Sequence, residues 1–192
     1  IKGNEVIVKT MPEGTPFVTL DGVEHKLSDR DLAICNAEEP MCIAGVFGGK
    51  GSGTYETTKD VMLESAYFNP TWIRKSARRH GLSTDASFRF ERGVDPNAQI
   101  YALKAAALMA KELAGAKVSM QIVDTHPEPV VGFPVELKYA YVDSLVGQHI
   151  PAETVRSIVK SLEMEITRED AEGVDLVVPP YRVDVQRPCD VV

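Results

Sequence analysis

Residues 125–134, Thr-His-Pro-Glu-Pro-Val-Val-Gly-Phe-Pro, constrain the fold more than any other stretch of this chain. Three prolines and a glycine in ten residues remove backbone donors and alternately fix and free φ. Neither a helix nor a central strand can run through such a segment. A chain of 192 residues interrupted there reads as a larger unit over 1–127 and a smaller one over 128–192.

The first unit opens as a β-rich sheet. Glu5 to Lys9 and Phe17 to Leu20 read as strands, and Asp21-Gly22 carries the signal of a type I′ turn into Val23–Leu27. Leu32 to Asn36 and Met41 to Phe47 are apolar runs too short for helices. Five of the nine residues from Gly45 to Gly53 are glycine. As a phosphate loop this run fails, because Ala44 stands where the first glycine is needed and Gly51 follows Lys50 in place of Ser or Thr. A sharp connection between strands and a ligand wall approached closely by bare backbone both remain open. Asp60 to Glu64 reads as a further strand.

Helices follow. Asn69 is an N-cap with Pro70 at the first helical position, and Gly81 ends the helix after His80. Trp72, Ile73, Ser76 and Ala77 are its expected buried stripe. Arg74, Lys75, Arg78 and Arg79 face outward or toward a ligand, the later ones suiting the helix C-terminus. A second helix runs from about 97 to 114, with Ile100, Leu103, Ala107, Ala110 and Ala114 at helical spacing and Gly115 as its end. Val118 to Val123, read as a strand, completes an α+β unit. In the second unit Val135–Lys138 is a strand and 152–162 a helix, with Val155, Ile158, Val159 and Leu162 on one face. Glu165–Thr167 and Asp175–Val178 flank a turn at Glu172-Gly173.

Between 72 and 92, six Arg and Lys side chains meet only Asp85 and Glu91, a local balance of +4 in a chain of net charge −7. A basic island in an acidic protein fits a polyanion held at one place, not a general nucleic-acid coat. Cys35, Cys42 and Cys189 form no CxxC pair and read as buried small side chains in a reduced, cytoplasmic setting. No apolar run approaches the ~20 residues of a membrane span.

Four strings are specific enough to carry a resemblance: ARRHGLSTDASFRFERGVDP (77–96), TLDGVEHKL (19–27), IAGVFGG (43–49) and PPYRVDVQRP (179–188). They resemble the β subunit of bacterial phenylalanine–tRNA ligase, across essentially the whole chain. The resemblance implies most of an editing domain over 1–127, with part of its pocket upstream of Ile1. It implies next a small α/β domain of winged-helix-like, "putative DNA-binding" topology. The family's enzyme charges tRNA(Phe) with phenylalanine using ATP, as a cytoplasmic α2β2 heterotetramer, without membrane or DNA partners. Its β subunit removes tyrosine mischarged onto that tRNA. By this resemblance Glu64 accepts the tyrosine phenol, Gly48 and Ala86 line the pocket, and Thr84 lies near the scissile ester as the catalytic candidate. Arg74, Arg78, Arg79 and His80 are tRNA contact candidates. Asp184 and Asp190 match the first two of an acidic set that binds Mg2+ shared with the α subunit. Beside the editing role stands a noncatalytic scaffold that binds tRNA or assembles subunits. A nucleotide-binding domain on the glycine run is disfavoured by its failed motif.

Overall fold

The computed structural model describes residues 1–192, which divide into two compact units: 1–94 with 101–116, and 95–100 with 117–192. The chain is mixed α+β, with antiparallel sheets and helices in sequence. No helix is long and apolar enough to cross a membrane.

In the first unit, β1 (Ile7–Thr10), β4 (Leu32–Cys35), β5 (Pro40–Ile43) and β6 (Phe47–Gly48) form one antiparallel sheet in the order β1-β4-β5-β6. β2 (Thr15–Val18) and β3 (Glu24–Leu27) make a separate hairpin. The turn between them is not type I′. Gly22 has φ +85° while Asp21 stays out of the left-handed region, and Thr19 and Val23 pair around a three-residue loop. That is a type I turn closed by a left-handed glycine. The Asp21 carboxylate stabilises it by accepting from the Thr19 hydroxyl at 2.5 Å and the Val23 N–H at 3.2 Å.

Helix α1 (Pro70–His80) is bounded as the sequence predicts: Asn69 accepts from Thr71 N–H, Pro70 starts the helix, and Gly81 adopts φ +63°. Ile73, Ser76 and Ala77 are its buried face, but Trp72 lies 48% exposed, one residue off that stripe. Ile73 and Ala77 join Phe17, Leu27, Ile34 and Ile43 in the core. Helices α2 (Asp85–Phe90) and α3 (Gln99–Ala114) follow. α3 buries no residue; Leu103, Ala107 and Ala110 of its expected stripe are only half-covered. The strands expected at 60–64 and 118–123 do not form. Their backbones meet no pairing partner in the chain, and Val61, Val118 and Met120 stand in solvent.

The second unit is a three-stranded antiparallel sheet, β7 (Phe133–Lys138), β9 (Gly173–Val178) and β8 (Glu165–Glu169), in the order β7-β9-β8. Pro134 lies within β7, tolerated because β7 is an edge strand. Helix α4 (Tyr139–Val146), which the sequence reading missed, follows β7 directly and ends at Gly147, φ +83°. Helix α5 (Ala152–Ser161) buries Val155 and Val159, while Ile158 is 49% exposed. With Leu137, Met164 and Leu176 they form the core of this unit. A last turn of helix, α6, spans Pro188–Val191. Of the cysteines only Cys35 is buried; Cys42 is half-buried and Cys189 exposed, and all three are free thiols.

Candidate functional site

A cleft of about 550 Å³ opens in the first unit where β5, the Gly45–Gly48 segment, the chain before α1, and α2 converge. Gly48, Glu64 and the Thr84–Ala86 pair, from three separate stretches of the sequence, all line it. Phe68, Phe90 and Cys42 complete much of its apolar wall.

Glu64 has no hydrogen-bond or ion-pair partner in the chain. Its side chain is exposed to solvent at the cleft, and the protein around it removes part of its hydration. That loss raises its pKa above the usual glutamate value. The nearby Cys42 thiol is pushed up to about 11, by burial first and by the Glu64 charge second. Cys42 is therefore a neutral thiol at neutral pH and no nucleophile.

Thr84 is the N-cap of α2. Its hydroxyl donates to the Val46 carbonyl at 2.6 Å and accepts from the Ser87 N–H at 3.0 Å, and the Ser87 hydroxyl accepts from the Thr84 N–H in return. The hydroxyl proton is thus committed to fastening α2 against the strand end at Val46. Ala86, the second residue of that helix, is presented to the cleft by the same fastening. A Cβ at Gly48 would lie 2.9 Å from Leu20 Cδ1, so a side chain there would have to displace the half-exposed end of a leucine in the β2–β3 loop.

The basic residues divide. Asp31, with no exposure, sits before β4 and accepts from Ser28 N–H at 2.8 Å and the Ser76 hydroxyl at 2.7 Å. Arg79 pairs with the same carboxylate, and His80 Nε2 lies 2.6 Å from its other oxygen. Arg79 and His80 are thus drawn into the fold by an acid that the sequence reading passed over. Burial alone would raise the pKa of Asp31; the bonds from Ser28, Ser76 and His80 outweigh it and hold the value below normal. Arg74 donates to the Glu91 carbonyl at 3.0 Å, and Arg92 stacks on Phe88 at 3.6 Å while pairing with Glu91. Arg78 remains exposed with no ion pair.

Asp184 is exposed, whereas Asp190 is occupied by Arg187, whose Nε and Nη2 reach its two oxygens at 3.1 and 2.9 Å. Those bonds pull the Asp190 pKa far down. No three His, Cys, Asp or Glu side chains gather anywhere as a metal-binding group. Magnesium takes near-octahedral oxygen ligation, and two carboxylates, one already bound to a guanidinium, do not supply it. Asp184 and Asp190 would therefore be two members of a larger ligand set.

Asp31, Cys42, Phe68 and Phe90 carried no local signal in the sequence.

Comparison with known proteins gives matches over both units. Residues 1–115 match the B3/4 domain family and residues 135–192 the tRNA synthetase B5 domain. Over the full chain, the sequence is 69% identical to a phenylalanine–tRNA ligase β subunit of Bacteroides fragilis (strain YCH46). It is 50% identical to one of Porphyromonas gingivalis and 41% to one of Syntrophus aciditrophicus. The chain spans about a quarter of the length of these relatives, 23% for the first. Carrying a B3/4 match and a B5 match in that order, the chain belongs to the family of phenylalanine–tRNA ligase β subunits.

Proposed function

We propose that the cleft is the editing pocket of a phenylalanine–tRNA ligase and hydrolyses the ester of tyrosine mischarged onto tRNA(Phe). The observation that carries this reading is the convergence of Glu64, Gly48, Thr84 and Ala86 on one cleft. Selection there has a clear physical basis. A synthetic pocket shaped for phenylalanine cannot strongly reject a ring that adds a hydroxyl, with discrimination of only ~100-fold. A second site can demand that hydroxyl instead. Glu64, free of partners within the chain, gains a hydrogen bond from a phenol and nothing from phenylalanine.

Hydrolysis of an activated ester asks mainly for a held carbonyl and a placed water. Thr84 serves as a positioning residue in this reading, since its proton already goes to Val46. Arg78 and Arg74 are the candidates to meet the tRNA backbone; Arg79 and His80 act through α1. The editing domain is placed at 1–127 and the small domain at 128–192; the family matches over 1–115 and 135–192 support two domains in that order, although the compact units divide near 116. The strand order β7-β9-β8 around α4 and α5 supports a winged-helix-like second domain. The relatives' printed name, a ligase β subunit, supports an α-subunit partner; ATP, an α2β2 assembly and a cytoplasmic location belong to the proposal through the family resemblance alone. Asp184 and Asp190 enter the proposal, through the family resemblance, as two carboxylates of a larger acidic set that would hold Mg2+ together with the α subunit.

In the complete α/β enzyme, Glu64→Ala abolishes deacylation of tyrosyl-tRNA(Phe) and leaves phenylalanine charging intact. Wild-type deacylation rates in that variant would reject the assignment. The unburied length of α3 favours a second reading, in which this part of the subunit is a scaffold. It predicts no deacylation by the wild-type enzyme and an assembly defect on charging α3, for instance Leu108→Glu.

A further inference from the structure

We infer that Phe90, backed by Phe68, is a specificity-determining residue of the cleft, receiving the ring of an aromatic aminoacyl group while Glu64 receives a polar group at its tip. This rests on the editing reading above and adds to it the part of the site that selects for an aromatic ring.

Phe68 precedes the Asn69 cap of α1, and Phe90 is the last residue of α2. Their rings meet edge to face, with centroids 5.0 Å apart at 62°. Phe68 is 7% exposed and belongs to the core; Phe90 is half-buried, and both line the cleft. The pair is backed closely by the chain. Gly45 turns behind it with φ +65°, and a Cβ there would fall 2.9 Å from Phe68, 3.0 Å from Ile73 and 3.3 Å from Phe90. On the other side α2 is fastened through Thr84 to Val46. The cleft therefore joins a fixed aromatic wall to one carboxyl without a partner. A ligand that satisfies both is flat, apolar along its body and hydroxylated at one end. An aliphatic side chain of equal size fills the space but forgoes the ring–ring geometry, worth a factor of about three to ten.

The test uses the complete α/β enzyme and two esters on the same tRNA, one of tyrosine and one of 4-hydroxycyclohexylalanine, which keeps the hydroxyl on a saturated ring. Wild-type enzyme deacylates the tyrosyl ester preferentially; Phe90→Leu lowers that preference about three- to ten-fold, and Phe90→Tyr retains it. If Phe90→Leu slows both esters equally, or changes neither, Phe90 is structural only and the inference is overturned. Should the wild-type enzyme deacylate neither ester, the editing reading falls and takes this inference with it.

Discussion

A fully buried carboxylate survives at position 31 because four donors converge on it: a backbone N–H, a serine hydroxyl, a guanidinium and an imidazole. Removing one partner of such a cluster strands the rest, so Asp31→Asn is expected to destabilise the first unit by about 3 kcal/mol, read by chemical denaturation. The pH dependence follows from the lowered pKa. The Asp31 contribution is present above the unfolded value near 3.8 and is lost as pH falls through the lower folded value. Glu64 has the opposite sign. Its folded pKa is raised above 4.5, so its ionisation opposes folding as pH climbs through the folded value. Glu64→Gln should therefore raise the thermal midpoint at neutral pH, with the difference vanishing below pH 4.5. Equal midpoints for the two proteins at pH 7 would show that Glu64 pays no desolvation cost, a carboxyl sitting in the cleft at the expense of stability being what a binding role requires.

Among the elements, α2 is the one that positions the cleft, yet it has only six residues. An isolated helix of that length does not persist in water; the Thr84 cap and its bond to Val46 hold it. Thr84→Val, which keeps the shape and deletes the hydroxyl, should cost about 1–2 kcal/mol, and Thr84→Ser much less. Equal losses in the two would refute the role of the hydroxyl. What could be read beforehand follows the range of the interaction. The limits of α1 are written in Asn69, Pro70 and Gly81 because caps act within a few residues. The β2–β3 loop was legible as a turn, but its type depended on Asp21 bonding back to Thr19 and Val23. Helix α4 was missed although Tyr139, Val142 and Val146 keep helical spacing before Gly147, because β7 runs into it without a loop. The runs at 60–64 and 118–123 have strand composition, and composition does not provide a neighbour to pair with. Within the site, Glu64, Gly48, Thr84 and Ala86 came from a family resemblance; the aromatic wall and, apart from the local Ser28 bond, the Asp31 cluster are made by contacts across 22 to 49 residues, beyond any local pattern.

Over these 192 residues, a net charge of −7 repels a polyanion and leaves any tRNA contact made by this chain to a few exposed cations. The basic island is smaller in space than in sequence, since Arg79 and Arg92 spend their charge on carboxylates of the same fold. Arg78 stands clear of such pairs, so Arg78→Ala in the complete enzyme should weaken tRNA binding. It should also flatten the slope of log affinity against log salt by about 1; an unchanged slope would place the phosphate contact elsewhere. In the second unit, Pro134 bears on the company the protein keeps. A sheet of three strands has two free margins, and each is an invitation for another chain to add itself. On β7 the proline has no amide to offer an incoming strand, and on β8 Glu165, Arg168 and Glu169 set charge along the margin. A small domain made on the ribosome beside its own copies is thereby kept from polymerising through its edges.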